Sequence, residues 1–174
     1  MSGHRPREAA FTPPSEGRPA LSRRPWTGSI GDAEAMRALG AALAGRAEPG
    51  DILCLFGDLG AGKTQLAKGF GAGLGVAETI NSPSFVLMAE YAGRLPLFHV
   101  DLYRLVDGVD ALAVGLLDDR QADGITIIEW AERLGSGLPA SRLDIRIYGS
   151  GDEPRVVTIS ATDERLERYL EAAR

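Results

Sequence analysis

The sequence predicts one α/β domain, a three-layer sandwich whose mixed sheet includes an antiparallel hairpin. Three observations predict it. Short apolar runs, Ile52-Leu53-Cys54-Leu55-Phe56 and Ile125-Thr126-Ile127-Ile128, have the length and composition of strands buried on both faces. Stretches with helical spacing alternate with strand-like ones. Two further strand-like runs, 85–91 and 95–101, are separated only by Ala92-Gly93-Arg94, the spacing of a hairpin. At 174 residues the chain fits a single ordinary domain.

The elements follow in order. Residues 1–28 read as a disordered, basic, Pro/Arg-rich extension, because Pro6, Pro13, Pro14, Pro19 and Pro25 interrupt any helix and apolar residues are sparse. Residues 29–174 read as the folded domain. Met36, Leu39 and Leu43 recur at helical spacing after Asp32, a plausible N-cap, and Pro49-Gly50 ends that helix. A strand over 51–56, a glycine-rich turn and a helix over about 63–74 come next. After the hairpin, a helix is expected over about 109–117 and a strand over 124–130. Residues 142–148 and 155–160 alternate as half-exposed strands, and 163–173 reads as a polar terminal helix.

Composition narrows the functional classes. Arg5, Arg7, Arg18, Arg23 and Arg24 outweigh Glu8 and Glu16, so the folded part is more acidic than the whole chain's net −5. An acidic domain is poorly suited to gripping a phosphate backbone over a broad surface. No apolar run is long enough to span a membrane, and the N-terminus lacks a secretory h-region. Cys54, the single cysteine, lies in an apolar run and reads as a buried, inert thiol. A cytoplasmic, reducing setting is expected. With only His4, His99 and Cys54 there is no zinc-binding pattern, and His99, flanked by apolar residues, reads as a packed strand histidine.

The strongest chemical signal is Gly57-Asp58-Leu59-Gly60-Ala61-Gly62-Lys63-Thr64, which matches G-x-x-x-x-G-K-[ST]. Its glycines let the backbone converge several N–H groups on a phosphate, and the loop runs into a helix N-terminus that favours an anion. Lys63 supplies a charge for the β- and γ-phosphates, and Thr64 a hydroxyl for Mg2+. The motif predicts a P-loop NTPase-type fold binding ATP with Mg2+.

Such a site needs an acid at the end of a neighbouring buried strand. Glu129 ends Ile125-Thr126-Ile127-Ile128; an ordinary surface acid is the alternative. Asp101 ends Leu97-Phe98-His99-Val100 and begins Asp101-Leu102-Tyr103-Arg104; a structural ion pair is the alternative there. Asn81-Ser82-Pro83-Ser84-Phe85 suits either a loop closing over the γ-phosphate or a plain turn.

Four motifs in this order carry a resemblance: the P-loop at 57–64, Ser82-Pro83-Ser84-Phe85, His99-x-Asp101-Leu102-Tyr103-Arg104, and Ile127-Ile128-Glu129-Trp130. Over residues 30–150 the chain resembles the TsaE family, small bacterial P-loop ATPases that take part in making threonylcarbamoyladenosine in tRNA. The resemblance implies that Lys63 and Thr64 hold phosphate and Mg2+, that Glu129 lies near the metal, and that Asp101 is an acid needed for activity. It implies a switch-like role for Ser82 to Phe85, including Ser84, and a place for Trp130 beside the nucleotide. The family pattern usually has threonine where this chain has Ser84, which keeps the hydroxyl. The implied partners are TsaD and TsaB homologues, with tRNA reached through them. A P-loop small-molecule kinase and a non-hydrolysing ATP sensor are the alternatives.

Overall fold

The computed structural model describes residues 24–105 and 115–174. Its strands are β1 (Trp26–Ile30), β2 (Ile52–Phe56), β3 (Met88–Tyr91), β4 (Leu97–Asp101), β5 (Ile125–Glu129), β6 (Leu143–Tyr148) and β7 (Arg155–Ala161). They form one seven-stranded sheet in the order β1-β7-β6-β2-β5-β4-β3. The four inner strands β6, β2, β5 and β4 run parallel, whereas β7, β1 and β3 join antiparallel. The sheet is therefore mixed, and β3–β4 is the expected hairpin.

Helices α1 (Ala33–Ala44), α2 (Lys63–Gly73) and α3 (Arg168–Ala172) share one face. Leu53, Leu55, Ile125, Ile127, Leu143 and Ile145 point into that layer, where Leu43, Leu66, Phe70 and Tyr169 meet them. On the opposite face Cys54, Phe56, Val100 and Ile128 pack under Leu116 and under Ala131 and Leu134 of a 3-10 segment, Ala131–Gly137. Burial on both faces explains why β2, β4 and β5 read as near-continuous apolar runs. Asp32 caps α1, its side chain accepting from the Ala35 N–H at 2.8 Å. α1 and α2 touch backbone to backbone: a Cβ on Gly69 would lie 1.9 Å from the Arg37 carbonyl oxygen. That close approach fixes the helix that begins at Lys63.

The structure differs from the sequence reading in four places. The segment read as an extension over 1–28 ends in a strand, since β1 pairs with β7 from Trp26↔Ile159 to Ile30↔Arg155. Thr27, Gly28 and Ser29 carry little apolar signal; pairing with β7 and the packing of Trp26 and Ile30 on the core make the strand. The first hairpin strand is shorter than expected, because 85–87 form a turn with Phe85 and Val86 exposed. The terminal helix is two short pieces, Glu164–Leu166 and α3, and buries Leu166, Tyr169 and Leu170. Beneath them Tyr169 Oη donates to the buried Asp51 carboxylate at 2.6 Å, and Arg168 donates to the same carboxylate. The helix expected over 109–117 lies mostly outside the described residues, and 115–117 are non-helical.

Candidate functional site

β2 delivers the chain into the loop at the C-terminal edge of the parallel strands, where α/β folds hold ligands. Gly57, Gly60 and Gly62 take φ of +149°, +77° and +114°. A side chain at Gly57 would also collide with the Ile147 carbonyl oxygen, 2.5 Å from an ideal Cβ. These positions accept only glycine without strain, and successive backbone turns of this kind can form an anion-binding concavity. Behind the loop Arg155 of β7 donates to the carbonyl of Ala61 at 3.1 Å and of Gly60 at 3.3 Å, anchoring its outer side.

Lys63 is 4% exposed. Its Nζ donates to the Gly57 carbonyl and, at 2.9 Å, to that of Asp58, and lies 3.8 Å from the Trp130 ring centroid. Burial pulls its pKa below the ordinary lysine value, partly offset by Glu129, Glu132, Asp101 and Asp58. Trp130 reaches the lysine because it adopts a left-handed conformation, φ 57°, directly after β5. That geometry costs a non-glycine residue about 1–3 kcal/mol and clusters at functional sites. The Tyr103 ring flanks Trp130 with centroids 5.0 Å apart.

The two acids sit side by side. Asp101 and Glu129 are register partners on β4 and β5, each 2% exposed. Glu129 Oε2 accepts from Thr64 Oγ1 at 3.0 Å, and its Oε1 lies 2.8 Å from His99 Nε2. Asp101 Oδ2 accepts from Ser82 Oγ and, at 3.1 Å, from Ser84 Oγ, while Oδ1 accepts from the Tyr103 N–H at 2.8 Å. Glu129 is thus no surface acid, and 82–84 is a loop latched to Asp101 through both serines. Phe85, at its tip, is 84% exposed with the Arg104 guanidinium over its ring at 4.2 Å.

One cleft of about 450 Å³ brings Leu59, Ser84, Asp101, Glu129 and Trp130 to the loop, with His99 buried behind Glu129. A second cavity of about 330 Å³ shares Gly60, Ala61 and Gly62 with it and is bounded by Asp32, Met36 and Arg155. Of the residues proposed from sequence, Leu59 to Thr64, Ser84, Asp101, Glu129 and Trp130 line the first cleft, and Gly57 and Asp58 do not. Gly57 and Asp58 act through their carbonyls at the loop's start, where they also border a third cavity.

Comparison with known proteins decides the family. A family model described as "Threonylcarbamoyl adenosine biosynthesis protein TsaE" matches residues 30–157. The chain belongs to the TsaE family. It is 42% identical over 139 residues to the Bacillus subtilis (strain 168) tRNA threonylcarbamoyladenosine biosynthesis protein TsaE, covering 79% of this chain and 87% of that protein. It is 40% identical over 137 residues to the Streptomyces coelicolor TsaE, covering 75% and 93%. A solved structure described as "Crystal structure of Bacillus subtilus YdiB" superposes with a TM-score of 0.71 at 36% identity, covering 86% of this chain and 94% of that one. This likeness agrees with the P-loop-type α/β fold described above. Among the described residues no helix is long and apolar enough to cross a membrane.

Sequence reasoning missed one residue that lies behind the cleft. His99 is not merely packed; it contacts Glu129. The signal was present, because strand residues two apart share a face and His99 lies two before Asp101.

The residues fit Mg-ATP on structural grounds. A glycine cradle that side chains would block suits phosphate oxygens. Thr64 and Glu129 supply adjacent hard oxygen donors. Among the described residues no three His, Cys, Asp or Glu side chains gather into a metal cage. Two protein oxygens beside a phosphate cradle match a cation shared with the nucleotide.

Proposed function

We propose that this TsaE-family chain binds ATP with Mg2+ and hydrolyses it as an accessory to tRNA threonylcarbamoyladenosine modification in the cytoplasm. It would do so on a partner complex of TsaD and TsaB homologues. One observation carries the ATPase reading: Lys63, the Thr64–Glu129 pair and the serine-held Asp101 converge on one cleft at a glycine loop.

In this reading the loop amides and Lys63 bind the β- and γ-phosphates. Nζ exchanges its two carbonyl partners for phosphate oxygens, and Trp130 holds the ammonium over its ring face. Thr64 and Glu129 would hold Mg2+, which would supply positive charge to offset that of the phosphates. The neighbouring cavity, sharing Gly60 to Gly62, takes the nucleoside end. Asp101 orients a water and accepts its proton as the water oxygen bonds to the γ-phosphorus. The bond from that phosphorus to the β,γ-bridging oxygen breaks, leaving ADP and phosphate.

Partner dependence has its own support. Leu59, Phe85 and Val86 are 70%, 84% and 71% exposed around the cleft, an apolar rim that a docking protein would cover. The acidic charge of the domain leaves tRNA contact to that partner. The test measures phosphate release from Mg-ATP by the purified chain, alone and with TsaD and TsaB homologues. Release that rises with the partners supports the reading; a chain that binds Mg-ATP yet releases no phosphate under either condition is a sensor instead.

A further inference from the structure

His99 lies on β4 with its side chain fully buried, and Nε2 is 2.8 Å from Glu129 Oε1. Its Nδ1 is buried with no hydrogen-bond partner among the described residues. The tautomer follows. An N–H at Nδ1 would be a buried donor with no acceptor, so the proton belongs on Nε2, where it is donated to the carboxylate. Glu129 is then divided between two fixed donors, His99 at Oε1 and Thr64 at Oε2.

The division has a direction. His99 is a strand residue on a sheet buried on both faces, so its ring is as fixed as any group near the cleft. Thr64 lies in the first turn of α2 and borders the cleft. Pinning Oε1 from the sheet sets the carboxylate plane and leaves Oε2 aimed at the threonine hydroxyl. A leucine or phenylalanine would fill this strand position without stranding a buried nitrogen, so packing alone does not account for an imidazole.

We propose that His99 is a positioning residue that orients the Glu129 carboxylate for Mg2+, acting from outside the metal's own ligands. The proposal rests on the reading of Thr64 and Glu129 as the Mg2+ ligands. Removing such an outer partner typically weakens metal binding about 10- to 100-fold.

The experiment titrates ATP into the full chain by calorimetry over a series of Mg2+ concentrations and in EDTA, for wild type, His99→Leu, His99→Gln and His99→Asn. Glutamine can place an amide N–H near the position of Nε2; asparagine falls short of it. The expected result is a Mg2+ requirement raised about tenfold or more in His99→Leu and His99→Asn, near wild type in His99→Gln, with unchanged ATP affinity in EDTA. A purely structural role would not separate glutamine from asparagine in this way. If His99→Leu does not fold, the glutamine–asparagine difference alone decides. Equal Mg2+ requirements across the folded variants, with a wild type that responds to Mg2+, overturn the proposal and leave the ATPase reading standing. A wild type that binds ATP equally with and without Mg2+ overturns both.

Discussion

Asp101 and Glu129 end neighbouring parallel strands in register, so two buried carboxylates lie next to each other. Like charges near each other repel, and donors bound to each carboxylate offset that cost. Here the two are held by different groups: Glu129 by Thr64 and His99, Asp101 by Ser82, Ser84 and the Tyr103 amide. One acid is tied to the start of α2 and the other to the loop at the mouth of the cleft. Their roles should therefore separate on mutation.

Asp101→Asn should lower phosphate release by about 10²- to 10⁴-fold, the usual contribution of a positioned acid–base group, with little change in ATP affinity. Glu129→Gln should instead raise the Mg2+ concentration needed for ATP binding. Steady-state release with partners, together with calorimetry at several Mg2+ concentrations, distinguishes the two. Wild-type release in Asp101→Asn would remove that residue from the chemistry.

Lys63→Met should weaken ATP binding about 10- to 100-fold, the loss of one or two charge-assisted hydrogen bonds. The same variant should melt no lower than wild type in the absence of nucleotide. Burial disfavours the Lys63 charge more than its neighbouring acids favour it, so removing the ammonium relieves a cost. A large drop in melting temperature would contradict that balance.

The same group predicts a pH dependence. The folded pKa of Lys63 is lowered, so the proton leaves the folded chain at a pH where the unfolded chain still holds it. Stability relative to Lys63→Met should rise with pH between the folded value and the ordinary lysine value. ATP affinity should fall as pH passes the folded value, earlier than an unperturbed lysine would allow. Calorimetry from neutral to alkaline pH checks this, with Lys63→Met as the flat control.

Tyr169→Phe should destabilise the fold by about 1–3 kcal/mol, because it leaves a buried carboxylate short of one donor. In a chain of this size each kcal/mol lowers the melting temperature by about 2–4 °C. Burial first, and then the bond to Asp51, push the phenol above its ordinary pKa. Its contribution is complete below the ordinary tyrosine value and is lost progressively as pH rises from there toward the raised folded value, because the unfolded chain ionises first. Urea unfolding of both proteins at neutral pH measures the difference.

Cys54 should resist thiol reagents in the native state. It is fully buried, and burial, with Asp144 nearby, pushes its pKa up to about 12, so almost no thiolate is available. Labelling that keeps pace with unfolding in urea fits this; rapid labelling of native protein does not.

Much of this was legible in the sequence because local chemistry and tertiary context agree there. Residues 57–64 need glycines at positive φ, and no other residue type gives that bend cheaply. Glu129 and Asp101 end apolar runs, and a parallel sheet places such ends together. What escaped depends on partners distant in the chain. β1 has Thr27-Gly28-Ser29 at its centre and exists because β7 pairs with it. Its place two before Asp101 puts His99 on the same face, but its contact with Glu129 also requires that β4 lie beside β5. The polar look of 163–173 conceals Tyr169 and Leu170, whose burial is fixed by Asp51 and the core above it.

β2 has a consequence for how the protein is made. The strand that leads into the glycine loop pairs on both sides with strands that come far later in the chain, β5 and β6. On the ribosome one edge of it stays open until residues through Glu129 have emerged, and the other until residues through Tyr148 have. A nascent chain ending before β5 would therefore carry the full glycine motif and still lack the frame that gives it shape. Nucleotide capture should come on late and all at once during synthesis, and ATP in the surroundings would favour the finished fold over its precursors.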